Sequence, residues 1–352
     1  MITLSVDAMS GDAGPQQCVP GAVLAVAADP DLRILLVGQS EMLPALVDAA
    51  VASQRGAAGL RSRIEIVAAP EVVGMDESAR DAIRRRKQSS MRIAIDLVHE
   101  GRSAGAVSSG NTGALTAISH FVLKCLPQVE RAPIMSSIPS REGFPSREGF
   151  TQLLDLGANT RATPLQLLQF ALMGAIVARD VHGIESPRLG LLNIGTEEIK
   201  GHELVQEAHA LIRAHVESGR APFRYLGFAE GNDIFTGGHD VIVTDGFTGN
   251  VALKTMEGLA DLVGQRLRAE FDAGFSSRLA ALVARPVLRR VGQSLDPRRY
   301  NGAVMVGLTG IVVKSHGRAD ALAYSQAIAL AAQAVRRGLI DHVAQSLTEV
   351  HA

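Results

Sequence analysis

The chain has 352 residues, of which 47% are hydrophobic and 20% charged, enough apolar material for a sizeable core and too much for a disordered or collagen-like protein. Its 35 basic and 36 acidic side chains leave a net charge of -1, so no nucleic-acid partner is expected, and 4% aromatics without Trp argue against an aromatic stacking platform. Two distant cysteines, Cys18 and Cys125, a start without a basic leader and the lack of any run of 18 apolar residues predict a cytoplasmic chain that does not span a membrane and holds neither a disulfide frame nor a thiolate metal site.

Short runs rich in Val, Ile and Leu at 2–6, 33–37, 63–67, 104–107, 153–156, 189–194, 240–243 and 311–313 read as strands buried on both faces. Helix-period segments lie between them at 15–28, 40–53, 112–125, 164–179, 197–216, 251–271 and 319–338. This alternation predicts a mainly parallel sheet with helices on both faces, a three-layer α/β/α architecture. Two stretches break the rhythm. At 136–151 the run Ser140-Arg-Glu-Gly-Phe144 recurs as Ser146-Arg-Glu-Gly-Phe150 around Pro145, which predicts a polar loop carrying a small duplication. At 271–299 Leu279, Leu282, Val283, Val287, Val291 and Leu295 recur at near-helical spacing among arginines that include Arg289 and Arg290, and Pro286 is expected to divide the segment into two short helices.

Several familiar patterns fail in context. Gly101-Arg-Ser-Ala-Gly105 has nucleophile-elbow spacing but leads into a strand instead of leaving one. His202-Glu203 lacks the second zinc ligand at 206, where Gln stands. No two glycines have the G-x-G spacing of a dinucleotide fingerprint, and the P-loop-like stretch from Gly105 has Asn111 where the phosphate lysine belongs. No metal and no cofactor is expected.

Four other loops share one design, a buried strand that runs into small polar residues and glycines and then into a helix. They are Asp7-Ala-Met-Ser-Gly-Asp12-Ala-Gly14, Ser108-Ser-Gly110-Asn111-Thr112-Gly113, Asn193-Ile-Gly195-Thr-Glu-Glu-Ile-Lys200-Gly201 and Thr244-Asp245-Gly-Phe-Thr248-Gly249-Asn250. In a parallel sheet such loops gather at the carboxyl ends of strands, and the free N–H groups of the next helix favour a small anion such as phosphate. The same residues also serve as turn formers and N-caps, the bland alternative for any single loop.

Together with Ser89-Ser-Met91, Leu154-Asp-Leu-Gly-Ala-Asn159 and Lys314-Ser-His-Gly317, these motifs resemble the bacterial acyl-ACP:phosphate acyltransferase family of phospholipid synthesis, the PlsX type, from the first strand to about Arg337. The chain departs from the family pattern in the duplicated loop, in Ser10 where Gly is expected, and in a longer tail. The resemblance implies an isocitrate/isopropylmalate dehydrogenase-like fold with two lobes around a cleft, here 1–105 plus 300–352 and 106–299, and a homodimer. It implies transfer of a long-chain acyl group from acyl carrier protein to inorganic phosphate, giving acyl phosphate for a membrane glycerol-3-phosphate acyltransferase. Short-chain phosphotransacetylase, a related dehydrogenase and a non-enzymatic scaffold are the rival readings.

In that light Lys200, Asn193 and His316 are the expected catalytic residues, Lys200 as the cation and His316 as a proton donor to the departing thiolate. Asp7, Gly110, Asn111, Thr112, Asn159, Gly195, Asp245, Thr248 and Asn250 are the expected phosphate or thioester contacts. Asp7, Asp155 and Asp245 stand at strand ends, where N-capping competes with any role toward substrate. An acidic carrier protein needs a basic landing surface, for which Arg84, Arg85, Arg86 and Lys87 are the candidates. Leu279, Leu282, Val283, Arg289 and Arg290 would form an amphipathic tip on an anionic membrane surface, or would pack in a dimer.

Overall fold

In a computed structural model, which describes residues 1–54, 56, 58–141, 149–294, 298 and 301–351, the apolar runs do become strands. In chain order they are β1 (Ile2–Asp7), β2 (Leu32–Gly38), β3 (Ile64–Ala68), β4 (Gly105–Ser108), β5 (Ile134–Ser140), β6 (Gly149–Leu154), β7 (Arg188–Leu192), β8 (Arg224–Ala229), β9 (Val241–Val243), β10 (Ala303–Met305) and β11 (Ile311–Lys314). The helices are α1 (Pro15–Ala28), α2 (Leu43–Ala52), α3 (Ala79–Arg85), α4 (Ser90–His99), α5 (Thr112–Val122), α6 (Pro164–Asp180), α7 (Glu203–Glu217), α8 (Gly246–Asp272), α9 (Phe275–Ser294), α10 (Ala321–Arg336) and α11 (Leu339–His351).

The strands form one sheet in the order β3-β2-β1-β4-β11-β10-β5-β6-β9-β7-β8. Two parallel runs, β3-β2-β1-β4-β11 and β6-β9-β7-β8, are joined through β10 and β5, which pair antiparallel with their neighbours. The strand sense therefore reverses between the runs. Side chains alternate between faces along each strand. Ile311 and Val313 join the core beneath α1, α6 and α10, whereas Val312 between them joins the core beneath α4 and α5. Both faces are thus covered, which explains why the strands read as continuous apolar runs.

Three expectations need correction. The polar loop at 136–151 contains the paired strands β5 and β6 up to Ser140 and from Gly149, and 142–148 lie outside the described residues. Its Ser, Thr and Gln side chains hid a strand whose backbone is satisfied by the ladder. Pro286 does not divide 271–299, because α9 runs through it. A proline removes one intrahelical hydrogen bond, and the Ala, Leu and Arg around it carry the helix onward. The break falls instead at Ala273 and Gly274, between α8 and α9. The helix expected from 197 begins only at Glu203, because Gly201 takes a left-handed φ of 98° and Lys200 stands in the turn before it.

Candidate active site

The glycine-lined loops fall into groups that the topology separates. The first follows β1, β4 and β11. Asp7 is buried, and its carboxylate accepts the Ser108 hydroxyl (2.7 Å) and the Met9 N–H (3.2 Å). Burial pushes its pKa up, against the lowering effect of these donors. Ser10 accepts the Ser109 N–H at 3.0 Å, so the residue that replaces the expected glycine ties two loops together. Asp12 N–H donates to the Gly317 carbonyl (2.8 Å), which brings in the loop after β11. Asn111 caps α5 by accepting the Ala114 N–H (2.9 Å), and its amide donates to the Met75 carbonyl (2.6 Å). Gly110 is buried beside it, and Thr112 is the first residue of α5.

The second group follows β6 and β9. Asp155 accepts N–H groups of Ile134 (2.9 Å), Gly157 (3.2 Å), Ala158 (3.1 Å) and Asn159 (2.6 Å), with the Asn159 amide at 2.9 Å. Asp245 caps α8 by accepting the Phe247 (2.9 Å) and Thr248 (3.0 Å) N–H groups and the Thr248 hydroxyl (2.7 Å). Helix α8 starts hard against this turn: a Cβ on Gly249 would collide with the Asp155 carbonyl oxygen, so only glycine fits there. Thr248 and Asn250 remain exposed, and Asn250 lies over Gly157.

The loop after β7 forms a third group. The Asn193 amide donates to the Lys200 carbonyl at 3.0 Å, and the Lys200 ammonium folds back over Gly195 to Glu197 at 2.6 Å. That contact, against a small opposing effect of desolvation, holds the Glu197 carboxyl below its ordinary range.

One face of α8 links the second group to the first. Asn250, Lys254, Glu257 and Asp261 recur at helical spacing. Lys254 pairs with Glu257 at 2.9 Å, Glu257 Oε1 lies 3.3 Å from His316 Nε2, and Asp261 lies 3.6 Å from Arg318. Although burial raises it, His316 and Lys254 bring the Glu257 carboxyl down to about 2. His316 Nδ1 accepts the Arg318 N–H at 3.1 Å, so both ring nitrogens face groups of the protein. Sequence reasoning passed over Lys254, Glu257 and the ammonium of Lys314. The signal was a polar stripe at 250, 254, 257 and 261, which on a helix looks like a surface ion pair.

Other expected residues lie apart. Arg84 and Arg85 close α3 and Arg86 is its C-cap. Arg85 pairs with Asp81 (3.3 Å) and Arg86 with Glu77 (2.9 Å), whereas Arg84 and Lys87 are exposed and make no ion pair among the described residues. Leu279, Leu282 and Val283 are exposed on α9, and the side chains of Arg289 and Arg290 lie outside the described residues. Among the described residues no helix is long and apolar enough to cross a membrane.

The family model described as fatty acid synthesis protein matches residues 2–342. A phosphate acyltransferase from Alkalilimnicola ehrlichii is 46% identical over 98% of this chain and 97% of its own. In fold the chain is similar to a phosphotransacetylase from Streptococcus pyogenes, with a TM-score of 0.59 and 17% identity over 95% of this chain and 94% of that one. It is also similar to a putative 4-hydroxythreonine-4-phosphate dehydrogenase from Salmonella typhimurium, with a TM-score of 0.50 and 12% identity over 95% and 99% of the two chains. These likenesses support the mixed α/β, dehydrogenase-like architecture. With the family matched along nearly its whole length, the chain belongs to the fatty acid synthesis proteins that include the phosphate acyltransferases, and it is an enzyme of the acyltransferase class.

Proposed function

We propose that the chain transfers a long-chain fatty acyl group from acyl carrier protein to inorganic phosphate, giving acyl phosphate for phosphatidic acid synthesis. The carrying observation is the near full-length likeness to proteins named phosphate acyltransferase. The glycine-lined loops, disposed at strand ends and helix N-termini, support it.

Inorganic phosphate is in substantial part dianionic at neutral pH, so the reaction needs neither a strong base nor a covalent enzyme intermediate. A phosphate oxygen attacks the thioester carbonyl, the C–O bond forms, the C–S bond breaks, and the carrier thiolate leaves and takes up a proton. Orientation of the two reactants contributes roughly 7–11 kcal/mol, and a preorganised donor to the oxyanion about 2.7–4 kcal/mol. Asn193, Gly195, Lys200, Asn159, Thr248 and Asn250 are assigned to the thioester side, and Gly110, Asn111 and Thr112 to the phosphate side. Asp7 and Asp245 hold the loops that carry them, and His316 is the candidate proton source. Lys200→Ala is expected to lower turnover about 10²-fold with the fold intact, and near-normal kinetics would remove Lys200 from the mechanism.

The decisive assay is phosphate-dependent trapping of acyl hydroxamate from acyl-ACP, without coenzyme A or a nicotinamide. Hydroxamate formation that ignores phosphate would refute the reaction. The division into two lobes at 1–105 plus 300–352 and 106–299 belongs to the same proposal. Arg84 and Lys87, with Arg85 and Arg86, are proposed to steer the acidic carrier, and their replacement by Glu should alter the salt dependence of the apparent KM. The exposed apolar residues of α8 and α9, among them Leu262, Leu279, Leu282 and Val283, support a homodimer and a membrane-facing tip. Equal flotation of wild type and Leu279→Glu/Leu282→Glu with anionic vesicles would end the membrane part, and sedimentation of a monomer would end the dimer.

A further inference from the structure

Lys314 ends β11 in the middle of the sheet, in register with Ser108 of β4 on one side and Ala303 of β10 on the other. Its position is therefore set by the ladder and not by a loop. The ammonium lies against the carbonyl oxygens of Ser109 (3.4 Å) and Ser315, which use two of its three N–H bonds. Among the described residues it has no carboxylate within ion-pair distance.

The charged groups that face it come from three directions. Asp7 ends β1 and Asp12 lies in the loop after it, Lys254 and Glu257 belong to α8, and His316 follows in its own loop. Asp7 is engaged by Ser108 and Met9, and Glu257 by Lys254 and His316. Asp12 is exposed at the rim. Burial first, and then the like charge of Lys254, lower the ammonium to about 8, against the opposing pull of Asp12, Glu257 and Asp7.

Lys254 is tied to the loop of Lys314 through Glu257 and His316, so two like charges come together where three glycine-lined loops meet α8, and two of the three neighbouring carboxylates are already engaged. An arrangement of this kind is stabilised by the arrival of an anion. The N-terminus of α5 opens into the same group of loops, with the Ala114 N–H capped by Asn111 and the N–H groups of Thr112 and Gly113 ahead of it. Lys200 is offset by Glu197 at 2.6 Å, as Lys254 is by Glu257 at 2.9 Å, so of these three lysines Lys314 is the one with no carboxylate partner among the described residues.

We propose that Lys314, together with Lys254 of α8, holds the inorganic phosphate, which places the anion among the loops after β1, β4 and β11 and leaves Lys200 to the thioester. The inference rests on the reading of the chain as a phosphate-using acyltransferase and deepens it by assigning the phosphate to named residues. Asn250 stands one helical turn, about 6 Å, before Lys254 on the same face of α8, so the two reactants would meet along that face.

The test uses inorganic phosphate alone on the full chain at constant ionic strength. Phosphate should raise the Tm of the wild type and of Lys200→Met, but hardly that of Lys314→Met. In turnover with acyl-ACP, Lys314→Met should raise the KM for phosphate about 10-fold or more, with the KM for the acyl donor within about 2-fold. Phosphate affinity of the wild type should fall above about pH 8, where Lys314 loses its proton, and Lys314→Arg should flatten that fall because a guanidinium stays charged. If Lys314→Met fails to fold, Lys254→Met decides, with a weaker phosphate-induced shift expected. A phosphate-induced shift unchanged in Lys314→Met and Lys254→Met, one lost in Lys200→Met instead, or none in the wild type would overturn the assignment. A wild type that binds phosphate through Lys314 yet forms no phosphate-dependent hydroxamate would overturn the reaction and leave the anion site standing.

Discussion

Replacement of Lys314 by Met in the absence of phosphate isolates the cost of keeping an ammonium inside this fold. Burial and then Lys254 bring the group from an ordinary 10.5 to about 8. At about 1.4 kcal/mol for each tenfold change in proton affinity, this amounts to about 3 kcal/mol, an upper figure because the side chain keeps some contact with solvent. The unfolded chain holds the proton more tightly than the folded one. Between about pH 8 and 10.5 it therefore binds more protons, and stability rises with pH across that window. Below about pH 8 both states are charged and the penalty is present in full. Met does not titrate, so the difference in unfolding free energy between wild type and variant should move in favour of the wild type by about 2 kcal/mol from about pH 7 to about pH 10. Urea unfolding followed by circular dichroism at several pH values measures it, and the other titrating groups cancel in the difference. A difference that stays flat across the window would refute the reasoning, since it would mean that the ammonium feels neither burial nor Lys254.

Gly249→Ala drives a methyl group into the Asp155 carbonyl and should cost about 1–3 kcal/mol or more by forcing α8 off its seat, with an unchanged urea midpoint as the contrary result. Ser108→Ala leaves one oxygen of the buried Asp7 carboxylate without its 2.7 Å donor. The expected loss is about 1–3 kcal/mol in equilibrium unfolding, and a loss below about 0.5 kcal/mol would show that Asp7 does not depend on that hydroxyl. Asp245→Ala removes the cap of α8 and should cost about 1 kcal/mol, whereas Asp245→Asn should retain most of the stability; equal Tm values for Ala and wild type would contradict the capping role.

Seven of the eight strands legible in the sequence lie inside the sheet with both faces covered, because double burial writes a continuous apolar run, and β3, at an edge, is legible from Ile64, Ile66 and Val67. β8 escaped notice because, at the edge of the sheet, it alternates exposed Arg224 and Leu226 with partly buried Tyr225. β5 carries Ser136, Ser137, Pro139 and Ser140, and β10 is only three residues long. α4 was missed because Ile93, Ile95 and Leu97 alternate with other residues as a strand would, although one helical face buries Met91, Ala94, Ile95 and Leu97. Asn111, Asp245 and the glycines were legible as a class, since only a few residue types can cap a helix or accept a crowded turn. Their individual tasks were not. Asn111 and Asp245 have both a capping geometry and a plausible ligand geometry in one dimension, and only the fold shows which N–H groups their oxygens accept.

Local chemistry along the chain was sufficient for the alternating α/β pattern, the polar loops at strand ends and the family likeness, because periodicity, turn residues and motif order are all short-range properties. The reversal of strand sense through β10 and β5, the face of α8 that carries Lys254 and Glu257 to the loop of His316, and the lack of a carboxylate partner for Lys314 among the described residues are long-range properties. They depend on which segments, far apart in the chain, the sheet brings side by side. An ammonium at the end of a strand is ordinary in a sequence and becomes a candidate for anion binding only when packing strips away part of its solvent and commits the nearest carboxylates elsewhere.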